Sequence, residues 1–219
     1  MSVYVKEPQL PAQACVIWMH GLGADASDMM GLADQLTING IAIRHLFIDA
    51  PMRAVTLNNG MIMPAWYDIA GVKLVDREDE AGITESEEII RNVMESQFKE
   101  GFQPSQIFLA GFSQGGAMAL HTALHTKAAL GGVIALSAYL PLANINPAVL
   151  DKKTPFFMGA GQFDPLVLPE WSVKSKYWLI AQGYTDIAYH QYPMEHSVCY
   201  QEVQDVSLWL SEEIKKGIK

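Results

Sequence analysis

Short apolar runs separated by polar, glycine- and proline-containing breaks dominate the chain. Cys15–Met19 is such a run, bounded by turn residues, and reads as a buried strand. Gly21-Leu22-Gly23 ends it. A helix is then predicted from about Ser27 to Leu36, stopped at Asn39-Gly40. Ile41–Ile48 reads as the next strand, broken at Asp49-Ala50-Pro51. From Pro51 to about Gly82 the pattern is irregular, with Asn58-Asn59-Gly60 and Pro64 as breakers. An irregular stretch of that length is usually functional or mobile. Thr84-x-x-Glu87 has the form of a capping box. Ile89, Ile90, Val93 and Phe98 follow at near-helical spacing up to Gly101.

Ile107–Ala110 is a further apolar strand, and Gly111–Gly116 turns it into a helix reaching about Thr126. Val133–Leu136 and Phe156–Met158 read as two more buried strands. A helix is expected over Pro169–Ala181, a strand over Ile187–Gln191 and an amphipathic helix over Val198–Ile214. Strands that alternate with helices and are apolar throughout, not every second residue, belong to a mostly parallel sheet covered on both faces. The expectation is an α/β fold in a single domain spanning 1–219, since no linker or repeat interrupts the alternation.

Composition narrows the function classes. Half of the 219 residues are hydrophobic, enough for one sizeable core, and the 18% charged content is too low for a disordered chain. The net charge of −9 repels phosphate backbones and makes nucleic acid an unsuitable partner. The N-terminal segment lacks a basic region followed by an apolar run, and no apolar stretch is long enough to span a bilayer. The two cysteines, Cys15 and Cys199, form no CxxC pair. Together these features predict a cytoplasmic protein that needs no metal or cofactor.

The chemistry-bearing pattern is Gly111-Phe112-Ser113-Gln114-Gly115, a G-x-S-x-G sequence between a predicted strand and a predicted helix. In that context it forms a nucleophile elbow, a tight turn that lifts the serine hydroxyl out of the sheet at a helix N-terminus. A plain glycine turn is the competing reading, and the flanking elements weigh against it. In such a fold the acid and the histidine follow the serine in chain order. His196 lies in the loop Pro193–Ser197 after a strand, where catalytic groups gather; His190 lies within that strand and reads as structural. Asp164, in the loop after Phe156–Met158, is preferred as the acid over Asp151 and Asp186. Its competing role is that of a turn-forming Asp before Pro165. Ser113 would attack, His196 would take its proton and Asp164 would hold the imidazole. Acid would protonate the base and lower activity. The developing oxyanion would meet the backbone N–H of Gln114 and that of Leu22.

Taken together, HGLGAD (20–25), APMRAVTLNNGMIMPAWYDI (50–69), GFSQGGAMAL (111–120), GQFDPLV (161–167) and MEHSVC (194–199) resemble the phospholipase/carboxylesterase family, which includes the acyl-protein thioesterases; HGLGAD is most similar to its bacterial esterases. The resemblance implies an α/β-hydrolase fold without a large cap domain. It also implies hydrolysis of short acyl esters, lysophospholipids or S-acyl cysteines, by a monomer or homodimer. It supports Ser113, Asp164 and His196 as the triad and Leu22 and Gln114 as oxyanion donors. It adds Gly23, Met63, Trp66 and Leu166 as substrate-binding residues, with Leu57–Asp68 as an acyl-binding loop that could touch lipid transiently. Ordinary core packing is the alternative for that loop.

Three other patterns compete. Gly21-Leu22-Gly23-Ala24-Asp25-Ala26, with Asp49 ending the next strand, fits a dinucleotide-binding fingerprint. That reading leaves the elbow, acid and histidine unexplained. A catalytically silent binding protein on the same fold is a third possibility, against which the complete triad weighs. His121 and His125 are four apart, but H-E-x-x-H needs a glutamate where Thr122 stands, and no third ligand is indicated. A surface or packing role is expected for them.

Overall fold

The computed structural model describes residues 2–71, 77–143 and 148–217. Its strands are β1 (Val3–Lys6), β2 (Ala14–Met19), β3 (Ile43–Ile48), β4 (Met52–Val55), β5 (Met61–Pro64), β6 (Ile107–Phe112), β7 (Gly132–Leu136), β8 (Phe156–Gly161) and β9 (Ile187–Tyr192). Its helices are α1 (Ala26–Ala33), α2 (Glu80–Lys99), α3 (Gln114–Leu124), α4 (Pro169–Ala181) and α5 (Tyr200–Gly217). Seven strands form one sheet in the order β1-β3-β2-β6-β7-β8-β9. All neighbours pair in parallel except β1, which runs antiparallel to β3.

The apolar strands divide their side chains between two cores, as the two-residue period of a strand requires. On β2, Cys15, Ile17 and Met19 face one side with Ile83, Ile90 and Val93 of α2, Ala117 and Leu120 of α3 and Leu179 of α4. Ala14, Val16 and Trp18 face the other side with Met29 and Leu32 of α1 and Val206, Trp209 and Leu210 of α5. Helices therefore cover both faces of an open, mostly parallel sheet, and no large cap is built onto it among the described residues.

Three local expectations change. Strand β1 is absent from the sequence reading; its apolar run, Val3-Tyr4-Val5, is short, and all four residues of this edge strand are exposed. The stretch expected to be irregular holds an antiparallel hairpin, β4 paired with β5. Its turn passes through Asn59 and Gly60 at φ 55° and 74°, the left-handed conformations that this residue pair adopts most readily. Residues 72–76 of the same stretch lie outside the described residues. Finally, α2 starts at Glu80, ahead of the expected Thr84 box. Asp79 caps it by accepting from Gly82 N–H at 3.0 Å, while Thr84 bonds back to Glu80 O within the helix. Glu87 is thereby free to point at α3.

Candidate active site

The parallel strands deliver three loops to one edge of the sheet, where ligands bind in open α/β folds. β6 runs into α3 through Ser113, which has φ 54° and ψ −119°, a conformation strained for a residue with a Cβ. Ser113 N–H donates to Leu136 O at 2.8 Å and holds the turn. The flanking glycines are required by close approach. A Cβ at Gly115 would lie 2.1 Å from Met19 O, and one at Gly111 would lie 2.3 Å from the Gly115 carbonyl carbon.

The loop after β8 carries Asp164, only 3% exposed. One of its carboxylate oxygens accepts from the N–H groups of Leu166 (2.8 Å) and Val167 (2.9 Å). The other lies 2.6 Å from His196 Nδ1. The turn-forming and histidine-orienting roles thus belong to one side chain. Gly161 lets the two loops meet, because a Cβ there would fall 2.4 Å from Glu195 O. His196 Nε2 lies 2.9 Å from Ser113 Oγ. With Nδ1–H donating to Asp164, Nε2 presents its lone pair to the hydroxyl, the tautomer a general base needs. The Phe112 ring supports the imidazole at 4.8 Å between centroids, a contact absent from the sequence reading. The competing residues stand elsewhere. His190 is exposed and stacks on Phe157, and Asp151 and Asp186 are exposed.

Ser113 and His196 open onto a cleft of about 510 Å³. Leu22 and Gln114 line it, together with Leu166 and apolar groups such as Leu57, Ile69 and Trp171. A second, more open cleft of about 470 Å³ shares Phe112 and His196 with the first and continues over Ser27, Gly31 and Val198.

Trp66 does not line the cleft, so the expectation that it faces substrate is corrected; Met63 and Gly23 lie behind the residues that line it. Trp66 is fully buried. Its indole N–H donates to His20 O at 2.9 Å, and its backbone N–H donates to the Gln114 side chain at 2.8 Å. The Gln114 amide in turn donates to Tyr67 O, and Ser86 of α2 donates to Trp66 O. His20 accepts from Ala50 N–H through Nε2, so its ring proton lies on Nδ1, which donates to Gly21 O at 2.7 Å. Gly23 N–H donates to Pro64 O at 2.8 Å, and Met63 Sδ packs beside Gly23. The hairpin therefore supports the Gly21–Gly23 loop from behind, while Leu57, Tyr67 and Ile69 face the cleft in its place. The resemblance implied a loop near the site, and the structure differs in which of its side chains point inward.

The dinucleotide reading fails on geometry. Asp49, which would meet a ribose, accepts from Ala26 N–H at 2.9 Å and occupies the α1 N-terminus where a pyrophosphate would sit. The Gly21-Leu22 loop closes over Ser113 instead, with an ideal Gly21 Cβ only 3.5 Å from Ser113 Cβ. His121 is buried and His125 half-buried, which is the packing alternative for this pair, and both contact Glu87, a third group that spacing within the helix did not indicate.

A parallel sheet with an elbow serine, a loop histidine and a buried acid in hydrogen-bonding sequence defines a serine hydrolase of the α/β-hydrolase class. More narrowly, the chain belongs to the Phospholipase/Carboxylesterase family, whose model matches residues 2–214. It is 35% identical over 216 residues to acyl-protein thioesterase 1 of Emericella nidulans, covering 92% of this chain and 90% of that protein. It is 34% identical to acyl-protein thioesterase 1 of Cryptococcus neoformans, covering 95% of each. The crystal structure of Arabidopsis thaliana SOBER1 superposes with a TM-score of 0.84 at 28% identity, over 94% of this chain and 99% of that one.

Proposed function

We propose that the chain works as a single α/β-hydrolase domain, a carboxylesterase that cleaves carboxylic esters and thioesters of acyl chains through an acyl-enzyme on Ser113. The observation that carries this reading is the relay Ser113 Oγ–His196 Nε2–Asp164 at 2.9 and 2.6 Å, set at the mouth of an apolar cleft. Ser113 Oγ attacks the acyl carbon while its proton passes to His196 Nε2, and Asp164 stabilises the imidazolium. Backbone N–H groups of Gln114 and Leu22 receive the oxyanion. His196 then returns the proton to the leaving alcohol or thiol, and water repeats the sequence to free the acid and Ser113. Acyl transfer to water is redox-neutral and its protons travel through His196, so the reaction calls for no cofactor.

The more enclosed, apolar cleft takes the acyl chain, with Leu166 at its rim, and the more open cleft beyond His196 takes the leaving group. An open leaving-group side favours bulky carriers such as an S-acylated protein or a lysophospholipid, in line with the thioesterase names of the fungal relatives. Met52, Met61 and Ile62 on the hairpin are 62%, 63% and 67% exposed. They give the 57–68 segment and its hairpin an apolar surface for transient contact with lipid. No described helix is long and apolar enough to cross a membrane. A cytoplasmic setting fits the two free thiols, Cys15 and Cys199.

The test compares p-nitrophenyl acetate, butyrate and octanoate with an S-octanoyl cysteine peptide. Hydrolysis of both ester and thioester is expected, with kcat/KM rising from acetate to octanoate as the apolar cleft fills. A preference for acetate would remove the cleft from the acyl-binding role. Hydrolysis of esters alone would restrict the reading to a carboxylesterase.

A further inference from the structure

Away from the catalytic cleft, one group of side chains is arranged for chemistry that hydrolysis does not use. His121 lies in the last turn of α3 and His125, four residues on, is its C-cap, so their rings leave the same side of the helix end. Glu87 of α2 meets them. His121 Nε2 and His125 Nδ1 each lie 3.0 Å from the same carboxylate oxygen, Oε2. The rings stand edge to face with centroids 4.2 Å apart. Arg91 Nε lies 2.9 Å from the other oxygen, Oε1, in an ion pair along α2. The guanidinium also bonds to His125 O. The His121 side chain is 3% exposed, Glu87 16% and His125 18%, so the group is sheltered yet reachable from solvent.

We propose that Glu87, His121 and His125 form a binding site for one divalent transition-metal ion of the zinc type, bridging α2 and α3. Two imidazole nitrogens and a carboxylate oxygen are a zinc donor set, and the three donor atoms lie within 4.8 Å of one another. Tetrahedral zinc with bonds of about 2.0–2.2 Å sets its ligand atoms about 3.4 Å apart. The nitrogen–oxygen distances of 3.0 Å therefore need to open by only a few tenths of an ångström. Without metal, each ring shares a proton with Oε2. A neutral imidazole can carry that proton on its other nitrogen, which turns a lone pair toward the ion and needs no external base. A small recess of about 10 Å³, lined by Leu140, Pro141 and Leu142, lies beside the two rings. Arg91 pairs with the carboxylate as outer partners of metal ligands do. Its positive charge also opposes the ion and weakens its binding.

His121 and His125 lie eight and twelve residues beyond Ser113, about 12 and 18 Å along the helix axis. The ion therefore acts on stability. It clamps the elbow helix to α2, and α2 also holds Trp66 through Ser86. Its effect appears as a rise in Tm with free metal concentration.

The experiment strips the full chain with chelator, then titrates zinc against a chromophoric chelator and cobalt(II) by visible absorption, with Tm read at each zinc concentration. One zinc per chain is expected, with a Tm that rises with zinc and a cobalt spectrum of four- or five-coordinate type. Glu87→Gln and His125→Ala should each weaken binding by more than about tenfold, as loss of an essential partner does. These two positions carry the test because His121 is buried and its replacement can disturb folding. Removing the metal should leave ester hydrolysis by the wild type in place. His196→Ala should bind zinc as the wild type does. Absence of stoichiometric binding would overturn the proposal. So would a zinc-dependent Tm that persists in His125→Ala, or binding lost in His196→Ala, which would place the ion at the triad.

Discussion

Two histidine–carboxylate clusters meet the same helix, one at each end, and they use the same groups differently. At the start of α3, His196 bridges Ser113 and Asp164. Further along, His121 and His125 converge on Glu87. The first is built from loops at the ends of parallel strands, faces a cleft of about 510 Å³ and includes a nucleophile. The second is built from two helix faces, has beside it a recess of about 10 Å³, and offers no nucleophile. Proximity of imidazole and carboxylate is therefore not what makes a hydrolytic site. The strained turn that presents Ser113 and the cleft that receives an acyl group make the difference.

The largest effect that sharpens this contrast is expected at the acid of the first cluster. Asp164→Asn should lower kcat by about 10⁴-fold, because an amide in place of the carboxylate no longer fixes Nδ1–H on His196. Loss of tenfold or less in steady-state assays would mean that the carboxylate is chiefly a turn residue held by Leu166 and Val167. A smaller effect is expected at Trp66, which joins the regions: Ser86 of α2 holds its carbonyl, and its indole holds His20 O beside the oxyanion loop. Trp66→Phe leaves a buried acceptor unpaired, at about 1–3 kcal/mol. Urea unfolding should show that loss, and kcat should fall while the relative rates on acetate, butyrate and octanoate stay the same. A changed chain-length profile would restore Trp66 to the cleft wall.

The smallest effect is expected at a third acid, Glu202, which forms no ion pair among the described residues. It is fully buried, and burial, followed by the nearby Asp205 charge, pushes its carboxyl up to about 8. The folded chain thus keeps a proton that the unfolded chain releases above about 4.5. This contribution to stability is complete below that pH and is lost as pH rises toward 8. Glu202→Gln should flatten this limb of a Tm–pH curve by several degrees. An unchanged slope would contradict the assignment. His45 acts on the opposite limb. Burial lowers it to about 4, and it accepts from the Trp18 indole at 3.0 Å. Stability from this group is lost as pH falls from 6.5 toward 4.

The sequence made the first cluster far more legible than the second. Ser113, Asp164 and His196 each sit at a predicted strand end, and buried parallel strands announce themselves as continuous apolar runs. Motif and topology thus pointed to the same edge of the sheet. Local pattern failed where exposure is high. The residues of β1 are all exposed, and the hairpin strands bury only Val55. Asn59-Gly60 was a readable turn signal, but no alternation flanked it. The resemblance places Trp66 in a loop beside the site without giving the direction of its side chain, and its ring turns behind the oxyanion loop. The contact of Glu87 with His121 and His125 crosses 34 and 38 residues between two helices. No spacing rule within a helix could reveal it.

The central claim is that Ser113 carries the acyl group during turnover. The direct measurement is rapid acid quench of the enzyme with p-nitrophenyl octanoate, followed by peptide mass spectrometry. The account predicts one octanoyl group per chain on the peptide that contains Ser113, and none in Ser113→Ala. An octanoyl group on another residue, or turnover with none trapped on Ser113 in a burst-competent enzyme, would contradict it.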